Sequence, residues 1–338
     1  MEIVRAVRLD DLDPLLELTG KATYGLTTLQ LDRARLLERV ERSVFAFTRL
    51  SQSPAGEPYV LVMEDTTTGQ LVGTSTLYAK TGGFEPFYAY RIEAEWHQSS
   101  DVNQVGTQHR ALHLERIYDG PSEIGSLFLL RAFRGHGRGR LLSLARFAVL
   151  AQRPHRFSDR VIAEMRGRCD AEGVSPFWEA VMRPFFGIDF SVADAMSTVS
   201  KAFIEDLMPR YPLYLDLLPP AAREVIGDVH DETQPAVRLL ESEGFAATDL
   251  IDIFDAGPVL QCPVDQIDAV RRCQPAQVVI GAVDTALPQQ MLCSMVGGFR
   301  ALLAPANVGG EMVMVTAEVA HRLGVEAGQT VWVMNPHC

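Results

Sequence analysis

The densest concentration of chemistry in the chain is Leu127-Phe-Leu-Leu-Arg-Ala-Phe-Arg-Gly-His-Gly-Arg-Gly139. Arg134, Gly137 and Gly139 form the pattern R-x-x-G-x-G, with Gly135 inside it, between an apolar run that predicts a strand and one that predicts a helix. Glycines at such a turn let the backbone approach an anion, and the unpaired N–H groups of a helix's first turn point at it. Arg134, His136, Arg138 and Arg140 add positive charge. Together they predict an anion cradle of a size that suits a diphosphate. No lysine follows, as a Walker loop would require, and the spacing is not that of a dinucleotide fingerprint. The plainer alternative is a Gly/Arg-rich turn that only joins strand to helix.

Other residues offer less. His109 and His113 are four apart but lack the glutamate of H-E-x-x-H, so a structural role outweighs a metal site, and no metal is expected. Glu164 interrupts the apolar run 161–165, and a charge there needs a partner. Asp252 and Asp255 flank Phe254; strand alternation would put 252 and 254 on one face and 255 on the other, and one of the two acids could meet a cationic ligand. Exposed carboxylates at a strand end are the default for that pair. Arg91, in Tyr-Ala-Tyr-Arg, suits a ligand carboxylate or a neighbouring acid equally well. Trp178, with Phe177, Phe185 and Phe186, is most simply core.

The elements that must carry these groups follow an α/β pattern. A β-branched run at 3–7 predicts a strand. Asp10 or Asp11 can cap a helix carrying Leu12, Leu15 and Leu16, with Gly20 as its stop. A second helix follows Thr27-Thr28, with Leu37, Val40 and Val44 on one face. The runs 59–63 and 71–78, separated by Glu-Asp-Thr-Thr-Thr-Gly, predict a hairpin. Residues 81–120 are irregular and suggest an insertion with one strand. Then come a strand at 124–130, a helix at 137–150 and a strand at 161–165. Ser175-Pro-Phe-Trp and Gln234-Pro-Ala-Val each place Pro in a helix's first turn. Residues 1–272 form the expected main domain. Residues 273–338, low in charge, form a small β-rich C-terminal domain with strands at 312–315 and 330–334 and a short helix ending at Gly324.

Composition bounds the function. The 338 residues are 47% hydrophobic and 22% charged, with 31 basic against 43 acidic side chains and a net charge of −12. A polyanion of that charge does not suit nucleic acid or an acidic membrane as a partner. The start lacks a basic region followed by an apolar run, and no stretch approaches the roughly 18 apolar residues of a membrane span. Five scattered cysteines without CxxC spacing suit reduced thiols and a cytoplasmic location.

The strand, cradle and helix at 124–150 resemble the pyrophosphate site of the GNAT acyl-CoA N-acyltransferases. A closer resemblance, to arginine N-succinyltransferases, rests on several further segments. These are Tyr88-Ala-Tyr-Arg91, Ala163-Glu-Met-Arg-Gly167, Ser175-Pro-Phe-Trp178, Lys201-Ala-Phe-Ile204 with Leu207-Met-Pro209, Val225-Ile-Gly-Asp-Val-His230 and Ile251-Asp-Ile-Phe-Asp-Ala-Gly-Pro258. It spans about residues 2–265, with a looser likeness beyond. It implies an α/β fold, a GNAT-like mixed sheet flanked by helices, and transfer of succinyl from succinyl-CoA to the α-amine of L-arginine in arginine catabolism. No tightly bound cofactor is implied; succinyl-CoA is a co-substrate.

Carried over, the catalytic proton donor falls on His230, which a bare sequence would make a solvated or capping loop residue. The succinyl-CoA contact falls on Leu127, and a strand that opens from its neighbour would free the amides of Leu127 and Leu129 beside Arg134, Gly135, Gly137 and Gly139. Arg91, Glu164 and Asp252 are the candidates for the amino-acid substrate. The family usually has Pro after the histidine, whereas this chain has Asp231, whose charge would favour the imidazolium. Ornithine or another amino acid is an alternative acceptor, and a non-catalytic CoA-binding subunit or sensor is a reading from another class. Assembly as a homo-oligomer, or as a hetero-oligomer with a paralogous subunit, is the expected organisation.

Overall fold

The computed structural model describes residues 1–22, 31–51, 53–98, 106–170, 173–197 and 201–337. Among them sixteen strands join one sheet. They are β1 Glu2–Ala6, β2 Pro58–Asp65, β3 Leu71–Tyr78, β4 Phe87–Gln98, β5 Gly106–Ile117, β6 Ser122–Leu129, β7 Arg160–Glu164 and β8 Leu213–Tyr214, followed by β9 Ala246–Ile251, β10 Pro258–Pro263, β11 Gln274–Ile280, β12 Gln289–Ser294, β13 Arg300–Pro305, β14 Asn307–Gly309, β15 Met312–Val315 and β16 Thr330–Met334. Their order is β14-β15-β11-β16-β12-β13-β1-β2-β3-β6-β7-β10-β9-β4-β5-β8. The neighbours β6–β7 and β11–β15 are parallel, which makes the sheet mixed.

The predicted hairpin is β2–β3, in register Leu61 against Ser75. Helix α1, Leu12–Thr19, buries Leu12, Leu15 and Leu18. Asp11 stands at its N-cap position but does not cap with its side chain, because Arg5 claims the carboxylate at 2.6 Å in a buried pair. Helix α2, Arg33–Thr48, starts at Asp32, whose Oδ1 accepts the Arg35 amide at 2.9 Å. It turns Leu36, Val40, Ser43 and Ala46 inward. Thr27-Thr28 lies outside the described residues. Helix α3, Arg138–Gln152, is buried without a break from Leu141 to Leu150, polar Ser143 and Arg146 included, so it shows no single apolar stripe.

Two expectations need correction. Residues 81–120 hold two twelve-residue strands, β4 and β5, not one, and β4 joins the main sheet through Tyr90–Ile251 and Arg91–Leu250. Their inner face (Tyr88, Tyr90, Leu112) is apolar, but Phe87 and Ala89 on the other face are buried as well, which breaks the alternation. Phe185 is exposed, although Trp178, Phe177 and Phe186 pack together in the core as expected. The strands of 273–338 enclose their own core around Val313, Val319 and Leu323, and they continue the sheet through β13 against β1. Cys169, Cys262, Cys273 and Cys293 are free thiols, while Cys338 lies outside the described residues. No described helix is long and apolar enough to cross a membrane.

Candidate functional site

The site begins where β6 leaves both its neighbours. Against β3, Thr76 faces Gly125 and Thr74 faces Phe128, so β6 carries one extra residue. Ser126 takes it up with φ +53, a left-handed conformation that a side chain adopts only at a cost. Against β7 the parallel ladder consists of Ser122–Val161 and Glu123–Ile162, after which the strands part. The Leu130 amide donates to Val72 O on β3 at 2.9 Å. By strand alternation, the amides of Leu127 and Leu129 therefore face away from β3, into the gap. The sequence had put free amides at these two residues.

The cradle follows directly. Gly135, His136 and Gly137 have φ of +97, +50 and +76, three residues with left-handed φ in succession. Gly137 is the N-cap of α3, and the first helical bond runs from Leu141 N–H to Gly137 O at 2.8 Å, which leaves the amides of Gly139 and Arg140 in the first turn. A Cβ on Gly139 would meet nothing nearer than Leu129 Cδ2 at 4.0 Å. Packing therefore does not require glycine there, but close approach of a ligand would. Two of the four cations expected at the cradle are drawn elsewhere: Arg138 pairs with Glu2 at 2.7 Å, and Arg140 donates to Pro336 O at 2.9 Å. Arg134 donates to Leu129 O at 3.4 Å and stays beside the turn.

A cavity of about 710 Å³ opens at the other end of the gap. Its wall includes Glu123, Gly125 and Ser126 of β6, Glu164, Met165 and Arg166 at the end of β7, and Asp252 and Asp255. Four carboxyls thus share one space. Burial raises the pKa of Glu123, Glu164, Asp252 and Asp255, and the charge of Glu123 and Asp252 pushes Glu164 further up. Lys201 offsets part of this at Glu123, Glu164 and Asp252. Glu164 is exposed to the open cavity, Glu123 and Asp252 are half-buried and Asp255 is buried; a cluster of that sign is complementary to an organic cation.

The expected alternation at 252–255 does not occur, because β9 ends at Ile251 and the chain turns. Asp252 Oδ1 accepts the amides of Phe254 and Asp255 at 2.7 and 2.8 Å, and this brings both acids to the same cavity. They are not exposed strand-end carboxylates. Asp255 in turn accepts from Gly167 N–H at 2.8 Å and Gly257 N–H at 2.9 Å, so it is fixed to the backbone.

Arg91 does not reach the cavity. Its guanidinium is engaged by Glu115 at 2.8 Å and Asp249 at 2.6 Å, so the neighbouring-acid alternative holds. His109 meets Asp216 at 2.6 Å and His113 meets Glu95 at 3.2 Å. His230 is not among the residues that line the cavity, although it is tied to one that does. Its amide donates to Arg166 O at 3.0 Å, and Nδ1 accepts the Glu232 amide at 3.2 Å. Burial and the Arg166 charge lower its pKa, against the opposing pull of Glu232 and Asp231. The expectation that Asp231 holds the imidazole protonated to higher pH is corrected: its effect has the expected sign but is outweighed.

Glu123, Arg166 and Lys201 went unnoticed in the sequence as site residues. Glu123 carried one signal, a lone acid at the edge of an apolar run. Arg166 and Lys201 carried only their place in two of the segments that resemble the family.

Residues 2–269 match the family model described as arginine N-succinyltransferase beta subunit, and residues 274–335 match the model of that subunit's C-terminal domain. The chain is 39% identical to the arginine N-succinyltransferase of Enterobacter sp. (strain 638), covering 98% of this chain and 96% of the relative. It is 38% identical, with the same coverage, to that of Escherichia coli (strain 55989 / EAEC). Among solved structures it is similar to arginine/ornithine succinyltransferase subunit AI from Pseudomonas aeruginosa, at 30% identity and a TM-score of 0.92 over 100% of this chain and 99% of the other.

Proposed function

Because the chain belongs to the arginine N-succinyltransferase family and is a GNAT-like acyltransferase, we propose that it transfers succinyl from succinyl-CoA to the α-amine of L-arginine in the cytoplasm. The observation that carries this reading is the junction of two half-sites along β6: an anion cradle beyond its end and an acid-lined cavity at its middle, joined by the gap to β7. From Gly125 to Leu129 the bulged strand lies opposite three residue steps of β3 and advances roughly 10 Å at about 3.3 Å per step, which suits part of a pantetheine arm laid along it.

In this reading the pyrophosphate of succinyl-CoA rests on the amides of Gly135, Gly137 and Gly139, with Arg134 beside them. The arm pairs with the amides of Leu127 and Leu129, and the thioester lies near Ser126. Glu164, Glu123 and Asp252 hold the cationic amino acid. The amine nitrogen attacks the thioester carbon, the C–S bond breaks, the amide nitrogen loses its proton and the thiolate gains one. His230 is the proposed proton donor to the thiolate. Its lowered pKa makes the imidazolium a minority form but a strong acid, which the proton leaving the amine can restore.

The test is release of coenzyme A thiol from a panel of acyl-CoAs crossed with arginine, ornithine and lysine. Release with succinyl-CoA and arginine above all other pairs supports the reading; equal or greater release with ornithine would support the alternative that the P. aeruginosa relative's description raises. Stabilisation by CoA without release would instead indicate a binding subunit. The family model and the P. aeruginosa protein are described as subunits, and we propose that this chain assembles with itself or a paralogue, which a solution mass resolves.

A further inference from the structure

The substrate proposed above carries three charged groups, and the acid cluster accounts only for the cationic ones. The α-carboxylate needs a cation beside the amine, and Arg91 is occupied. Several cations on the cavity wall are engaged as well. Lys80 pairs with Asp119, Arg35 with Asp32, and Arg42 donates to Gly56 O while lying 4.4 Å from the Phe84 ring.

Arg166 differs. No acid pairs with its guanidinium among the described residues; the side chain that it meets is the thiol of Cys169, a weak acceptor kept neutral because its pKa is pushed up to about 11, chiefly by burial. A carboxylate in the cavity that Arg166 lines would supply the charge partner it lacks. Its position suits that role. Arg166 follows Glu164 by two residues, so along an extended segment both project to one side, roughly 7 Å apart, and both line the cavity. Opposite charges at that separation complement the opposite charges of an amino acid. Across the gap stands Ser126, where β6 turns its amides toward the reacting centre.

We propose that Arg166 binds the α-carboxylate of the amino-acid acceptor and thereby selects an α-amino acid over a plain amine. This rests on the proposed succinyl transfer to arginine. The guanidinium fork offers two parallel N–H donors to a carboxylate, and the pairing fixes the amine at the thioester.

Agmatine, which is arginine without the carboxylate, separates the contributions. Initial rates of thiol release from succinyl-CoA are measured with arginine and with agmatine for the unaltered enzyme, Arg166→Gln and Arg166→Lys, each first checked for folding by thermal melting. The unaltered enzyme is expected to favour arginine in kcat/KM by about 10- to 100-fold, the scale of a charge-assisted hydrogen bond. Arg166→Gln is expected to remove most of that preference through arginine alone, leaving agmatine within about threefold. Arg166→Lys, which keeps the charge but loses the fork, is expected to fall between them. If Arg166→Gln melts below the assay temperature, the lysine variant decides: a reduced preference supports the role and an undiminished one overturns it. An unchanged preference in a folded Arg166→Gln enzyme also overturns the role of Arg166, while leaving the activity itself intact. No thiol release by the unaltered enzyme with arginine would instead overturn the functional reading, and the role of Arg166 with it.

Discussion

The backbone amide of His230 donates to the carbonyl oxygen of Arg166 at 3.0 Å, which ties His230 to a residue of the cavity wall whose charge lowers the imidazole's pKa. One residue thus bears on both halves of the proposed chemistry. Its side chain faces the cavity, and its charge sets how readily His230 holds a proton.

The first prediction concerns that coupling. If His230 donates the proton, activity falls as pH rises through its pKa, and this limb lies lower than an ordinary histidine would put it, because burial and Arg166 lower the pKa. His230→Ala should reduce kcat by about 10²- to 10⁴-fold and remove the limb. Arg166→Gln should move the limb of kcat/KM to higher pH, and Asp231→Asn should move it lower. The measurement is the pH–rate profile of each variant. Near-normal kcat and an unchanged profile in His230→Ala would end the assignment.

The carboxyl cluster predicts an exchange between stability and function. Burial, with Glu123 and Asp252, raises the Glu164 pKa, so the folded chain takes up a proton there more readily than the unfolded one. Its contribution to stability is present at low pH and lost as pH rises through the raised pKa. Glu164→Gln should therefore raise Tm at pH 8, with the gain fading toward pH 4. The same variant should raise the KM for arginine by about 10- to 100-fold, as expected for loss of a charge-assisted contact, and leave the KM for succinyl-CoA nearly unchanged. Melting curves at two pH values and two KM measurements check this.

The two glycines of the cradle should respond oppositely in stability. Gly137 has φ +76, where an added Cβ costs about 1–2 kcal/mol, so Gly137→Ala should lower Tm. Gly139 lies within α3 with open space around it, and Gly139→Ala should gain up to about 1 kcal/mol from helix propensity. Both should raise the KM for succinyl-CoA more than that for arginine. A Gly139→Ala enzyme with an unaltered KM for succinyl-CoA would remove that glycine from the ligand site.

Arg91 supplies a control. Because Glu115 and Asp249 hold it away from the cavity, Arg91→Met should leave both KM values within about threefold and cost at most about 1 kcal/mol, the usual worth of a partly exposed ion pair. A large rise in the KM for arginine would restore it as a substrate contact.

The sequence by itself determined whatever depends on near neighbours in the chain. The hairpin β2–β3 follows from alternation and a turn, and helix α3 from a Leu- and Ala-rich segment behind Gly137. The left-handed turn ahead of it follows from Gly135 and Gly137, with His136 taking the same sign of φ between them. The resemblance of short ordered motifs carried the family. What it could not give was the company each charged group keeps. Arg91 and Arg166 are both single arginines beside apolar segments, yet one meets two acids from other strands and the other faces a cavity. Alternation would put Asp252 and Asp255 on opposite faces of a strand, but the chain turns after Ile251. Glu123 and Glu164 are 41 positions apart and become neighbours only because β6 and β7 run parallel and then separate. Backbone conformation is set within a few residues, whereas a charge interacts through space, so its partners and its pKa exist only once the strands have been brought together.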